Sequence, residues 1–154
     1  MQSRRIVTVL GAAAAATAVG ATALAGPASA ATPKVVHKQF SVITKSVSEK
    51  DSKTGFVTKE NVYTPSGKLV GHDTLSCRIT STKSFTAKCT VVFTFLAHKA
   101  DSLSAHVTLT GDSPAATATV YAGTGTYKGF TGKAYALSFV SDKDGTAITF
   151  VLHK

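Results

Sequence analysis

Two carboxylates, Glu60 and Asp73, are the residues of this chain best placed to do chemistry. Each lies in a segment where apolar and polar residues alternate, and a β-hairpin joining those segments can bring the two opposite each other. Two carboxylates facing one cavity repel. One of them then keeps its proton to a raised pKa, and such a pair can serve as general acid and base. Whether they meet depends on register, because a slip of one residue exchanges the two faces of a strand. Such a slip in the turn between them sends Glu60 outside, and the alternative reading is that Asp73 hydrogen-bonds to Lys, Tyr or backbone N–H at the barrel mouth while Glu60 is solvated.

Other reactive patterns are missing or incomplete. Ser, His and Asp all occur, but no Gly-x-Ser-x-Gly does, and His37, His72, His98, His106 and His153 have no recognisable nucleophile beside them. His72 and His106 fall on expected outer faces. Cys77 and Cys89 lack a pair of histidines at ligand spacing, so no metal site is expected. Tyr63, Tyr121 and Tyr135 are candidates to line or rim a pocket. No cofactor is implied.

Strands are the elements that must position these residues. Period-two alternation dominates after residue 34, with no apolar run at helical spacing. One segment puts Phe85, Ala87, Cys89, Val91, Phe93 and Phe95 on one face and Thr86, Lys88, Thr90 and Thr94 on the other, the mark of a half-buried strand. Similar segments run over Val35–Val47, Gly55–Thr64, Leu69–Ile79, Leu103–Thr110, Ala115–Ala122, Lys133–Ser141 and Thr146–Leu152. Short turn-rich connections make neighbours antiparallel. The expected class is all-β, a barrel or a sandwich, and a closed barrel removes both sheet edges.

Residues 1–30 read as a cleavable secretory signal: Arg4 and Arg5, an apolar run from Ile6 to Ala25, then Ala28-Ser29-Ala30. Cleavage is expected after Ala30. Ser3-Arg4-Arg5-Ile6-Val7 partly matches a twin-arginine signal, but Thr8 stands where a bulky apolar residue is wanted, so general secretion is expected. Removing 30 of 154 residues leaves 124, one domain spanning residues 31–154. It keeps 15 of the 17 Lys and Arg and all 8 acids, for a net charge of +7. The expected surroundings are extracellular, with weak association to an anionic envelope. The cations are scattered and no aromatic platform accompanies them, which argues against nucleic acid.

Export to an oxidising compartment makes a Cys77–Cys89 disulfide the expected state. If the cysteines face each other across a hairpin, Leu75 falls opposite Val91, Asp73 opposite Phe93 and Gly71 opposite Phe95. Asp73 then points inward, on the face of Leu69, Leu75, Cys77 and Ile79. With Thr64 facing Leu69 in the preceding hairpin, Glu60 falls opposite Asp73.

The segment Gly123-Thr124-Gly125-Thr126-Tyr127-Lys128-Gly129-Phe130-Thr131-Gly132 is neither a dinucleotide loop nor a P-loop, since its spacing is wrong and no helix follows. Its glycines permit positive φ and close packing at a tight connection, while Tyr127 and Phe130 plug the apolar end. It resembles the Gly-Gly-Thr-Gly-x-Tyr-x-Gly-x-x-Gly segment shared by dirigent proteins and the allene oxide cyclase barrel family, with Ala122 in place of the first glycine. The order of Tyr63, Ser66-Gly67-Lys68-Leu69-Val70-Gly71, Cys77 and Cys89 is similar to secreted bacterial members. The likeness covers about residues 55–152. It implies an eight-stranded antiparallel barrel whose interior holds a small hydrophobic molecule, and it allows a homo-oligomer. No local motif carries the plant cyclase's catalytic residues onto this chain, so activity is left open.

Two functions follow. One is a secreted barrel that binds a small hydrophobic ligand, or acts through its surface, without catalysis. The other is an isomerase or cyclase with Asp73 and Glu60 as acid and base. A cavity of roughly 300 Å³ or more with Asp73 on its wall is expected for catalysis. A filled interior is expected for a structural role.

Overall fold

The computed structural model describes residues 35–111, 113–138 and 145–154. The expected signal peptide, residues 1–30, and the last three residues of the expected Lys133–Ser141 strand lie outside them. Eight strands follow in order: β1 (His37–Ser52), β2 (Gly55–Tyr63), β3 (Leu69–Ser81), β4 (Thr86–Phe95), β5 (Ser102–Thr110), β6 (Ala115–Thr124), β7 (Thr131–Ser138) and β8 (Thr146–His153). Each pairs antiparallel with the next, and β8 returns to β1, closing a barrel. A 3-10 turn at Gly125–Tyr127 joins β6 to β7.

Alternation places one side of every strand inside. Phe93, Phe150, Leu103, Leu152, Val62 and Val120 fill the centre. Phe40 stacks on Phe150 at 4.8 Å between ring centroids, and Phe93 meets Phe150 edge-on at 5.1 Å. A second cluster of Cys77, Ala87 and Cys89 with Phe56, Leu75, Val107 and Leu109 packs toward the other end.

Bulges adjust the expected register. Val47 is an extra residue between the pairs Ser46↔Glu60 and Ser48↔Lys59, so β1 continues to Ser52 rather than ending near Val47. Val70 is extra between Val62↔Gly71 and Tyr63↔Leu69. The expected Thr64–Leu69 pair is therefore replaced by Tyr63–Leu69, and Leu69, 40% exposed, leaves the inner face. Thr80 is extra between Ile79↔Ala87 and Ser81↔Thr86, and Tyr121 between Ser104↔Ala122 and Ala105↔Val120. Phe85 is also corrected: it belongs to the turn before β4, 39% exposed, and stacks on Phe56.

The glycine segment closes one end of the barrel. Gly125 has φ +56°, and a Cβ there would strike the Asp101 carboxylate. Asp101 Oδ1 accepts a hydrogen bond from the Thr126 N–H at 2.8 Å. The turn held in this way sets Tyr127 against Phe95 and Phe40, at 5.0 and 5.8 Å between centroids, and buries Phe130.

Candidate functional site

Glu60 and Asp73 face each other directly across the β2–β3 ladder. The Val70 bulge lies beyond them toward the hairpin turn, so it leaves their register intact. On the other side of β3, Cys77 pairs with Cys89 in a disulfide and Asp73 pairs with Phe93. Both carboxyls point inward. Asp73 is 3% exposed, and neither of its oxygens meets a hydrogen-bond donor of good geometry among the described residues. The alternative anchoring of Asp73 by Lys, Tyr or backbone N–H is not what the fold builds.

The pair is electrostatically frustrated. Burial pushes the Asp73 pKa up, the Glu60 charge pushes it further, and a hydrogen bond with Glu60 adds to this, bringing it to about 8. Burial also raises the Glu60 pKa, opposed by the Thr44 hydroxyl and by Asp73. At neutral pH Asp73 therefore keeps a proton, which its hydrogen bond with Glu60 shares between the two carboxyls. The Thr44 hydroxyl lies close enough to Glu60 for its O–H to favour the charged carboxylate, although the contact falls short of strict hydrogen-bond geometry.

Beside the pair lies a cavity of about 190 Å³. Thr44 and Glu60 give it polar points, and Leu75 and Phe93 form a large-residue wall. Ala116, Ala118, Ala134 and Ala136 line β6 and β7 opposite. These alanines leave the space, since phenyl or isobutyl groups there would fill it. Asp73 sits behind Glu60 rather than on the wall.

The cavity extends toward the end away from the glycine segment, where Ser113, Pro114 and Thr146 line it. Here the barrel is partly unzipped. β5 pairs with β6 only from Ser102 to His106, after which Val107–Thr110 pairs with β4 and Ala115–Ala118 with β7. Val107, Leu109 and Ala118, from both sides of this split, line the cavity.

Solved structures share this architecture. A pyocyanin demethylase superposes with a TM-score of 0.61 at 16% identity, covering 75% of this chain and 99% of its own. The Diels-Alderase AbnU gives 0.58 at 11%, covering 79% and 99%. The pterocarpan synthase dirigent protein GePTS1 gives 0.54 at 17%, covering 78% and 86%. The chain folds as a dirigent-like barrel. No family sequence profile matches it, and no curated protein does.

Within this dirigent-like barrel the residues singled out from the sequence separate into three places. Glu60 and Asp73 meet inside. Gly123, Gly125, Tyr127, Gly129 and Gly132 belong to the closed end and take no part in the cavity. His72, His106, Tyr121 and Tyr135 lie outside, with His106 stacked on Tyr121 at 4.2 Å and His72 Nδ1 bonded to Asn61 Oδ1 at 2.9 Å. Tyr63 is half-buried and its hydroxyl accepts from Asn61 Nδ2 at 3.2 Å.

Thr44 and Asp101 do not stand out along the chain. Thr44 looks like any strand threonine, and only its diagonal position to Glu60 distinguishes it. Asp101 has one local signal, that of a turn aspartate able to accept from a backbone N–H. Its pKa is lowered, first by the Thr126 N–H bond. No group of three metal-capable side chains occurs among the described residues.

Proposed function

We propose that this is an exported barrel protein that binds a small apolar molecule in the cavity beside Glu60. The observation that carries this reading is an apolar cavity with two polar points, Glu60 and Thr44, on one side of its wall. Ligand sites are mostly apolar with a few polar groups that fix orientation. The shared fold adds support: its structural neighbours are named for a demethylase, a Diels-Alderase and a pterocarpan synthase, all chemistry on organic molecules. The surplus of basic residues favours residence near anionic envelope polymers.

Native mass spectrometry of the exported protein tests the proposal. A co-purifying small molecule, lost when Ala136→Leu fills the cavity, is the expected result. An empty barrel that binds nothing from a panel of single-ring compounds would overturn it.

A second reading, an isomerase or cyclase, is favoured by the buried proton that Glu60 and Asp73 share. Glu60, on the cavity wall, would pass that proton to the bound molecule and take one back, with Asp73 behind it as the reserve, so a rearrangement or ring closure balances without oxidant or leaving group. Conversion of the co-purified molecule by the wild type, abolished in Asp73→Asn with binding retained, is the result expected of an enzyme. Equal binding and no conversion in either protein would leave a carrier.

A further inference from the structure

We propose that the cavity's ligand is a small apolar amine, bound as its ammonium ion by Glu60 and Thr44 with Asp73 behind them. This deepens the ligand-binding reading and rests on it.

Among the described residues, Glu60 and Asp73 are the charged groups that face the interior at this level, while Lys45 and Lys59 beside them are exposed on the outer face. Across from them stand Thr44 on β1 and Phe93 on β4, with Leu75, Val91 and Ile148 around the cavity. None is a cation. Lys38 shares a face of β1 with Thr44 but sits at the plugged end, its Nζ 4.5 Å from the centroid of the Tyr127 ring. The shared proton relieves one charge and leaves the other on the pair, whose half-buried member Glu60 faces the cavity. A buried charge is costly unless it is paired and hydrogen-bonded.

Acceptors are also left over. Thr44 Oγ1 makes no hydrogen bond of good geometry, its residue is 1% exposed, and it lies on the cavity wall, as Glu60 does. The unmet need at the wall is thus for N–H or O–H donors carrying positive charge. An ammonium group has three donors and no acceptor. An alcohol brings one donor and no charge, and a carboxylate would be repelled. Charge-assisted hydrogen bonds are roughly twice as strong as neutral ones.

Size limits the rest of the ligand. An apolar cavity of about 150 Å³ accepts one benzene ring. The cavity of about 190 Å³ therefore suits one ring, or a similar aliphatic body, with a short arm reaching Glu60.

Calorimetric titration of the purified full-length chain with phenethylamine, 2-phenylethanol and phenylacetate tests this. The amine is expected to bind about tenfold or more tightly than the alcohol, with phenylacetate weakest. Glu60→Gln should erase most of that preference. Amine affinity should rise from about pH 6 to about pH 9 in the wild type, as the pair loses its shared proton, and stay level in Asp73→Asn. Either variant suffices if the other fails to fold. Alcohol binding as tight as amine binding would overturn the cationic class while leaving the apolar-ligand reading intact. An amine preference unchanged in both variants would place the cation elsewhere and overturn the proposal. Failure of all three compounds to bind would overturn it together with the reading beneath it.

Discussion

Asp73 stands opposite Glu60 across the β2–β3 ladder with both side chains inside the barrel, and with no cation facing them among the described residues a shared proton relieves their repulsion.

Asp73 makes the barrel less stable as pH rises. Its folded pKa of about 8 stands above the ordinary 3.8, so between those values the folded state holds a proton that the unfolded chain has released. Raising pH therefore favours unfolding, and the loss is complete above about pH 8. A pKa difference of one between the folded and unfolded states corresponds to about 1.4 kcal/mol, so the loss is on the order of a few kcal/mol. Asp73→Asn should melt higher than the wild type at alkaline pH and converge with it near pH 4. Parallel pH–melting curves for the two proteins would mean that Asp73 does not titrate in this way.

Reducing the Cys77–Cys89 bond should lower stability by about 2–4 kcal/mol. The bond packs against Leu75, Val107 and Leu109, which also line the cavity, so ligand affinity should fall with it. Urea melts with and without reductant measure the first effect, and titration under reducing conditions the second. Coincident melts would show that the bond contributes nothing.

Gly125→Ala should loosen the closed end. A left-handed non-glycine residue costs about 1–2 kcal/mol, and here the new methyl also meets Asp101. Tyr127, whose phenol pKa is raised first by burial and then by the Asp101 charge, reports the change. Ultraviolet titration should show that phenol moving down toward its ordinary value in the variant, along with a lower melting temperature. An unchanged phenol titration would mean that the turn tolerates the methyl without moving Tyr127.

Ala136→Leu should occupy the cavity from the β7 side. Filling existing space is often neutral to stabilising, whereas overpacking costs about 1–3 kcal/mol. Ligand binding should therefore be lost with a melting temperature within a few degrees of the wild type. Retained affinity at unchanged stability would move the ligand site out of the barrel.

Much of this architecture was legible along the chain. The alternation in β4, the two cysteines and the turn residues are local features, and together they specified eight antiparallel strands and the pairing of Asp73 with Phe93. The glycine segment announced the plugged end because its conformational demands are also local. Bulges were not legible. Val47, Val70 and Tyr121 look like ordinary strand residues, and what makes each one extra is the number of residues on the partner strand.

The sequence by itself determined which side chains alternate and so that a carboxylate on β3 would enter the interior. Only the tertiary structure decided that Glu60 meets it there, because this depended on the Val70 bulge falling beyond the pair rather than before it. Closure decided the cavity as well. Four alanines on β6 and β7 are unremarkable in order along the chain, and they become empty space only when the barrel sets them opposite Leu75 and Phe93. Alternation is a property of neighbours in the chain, while register, closure and packing are sums over contacts between distant strands.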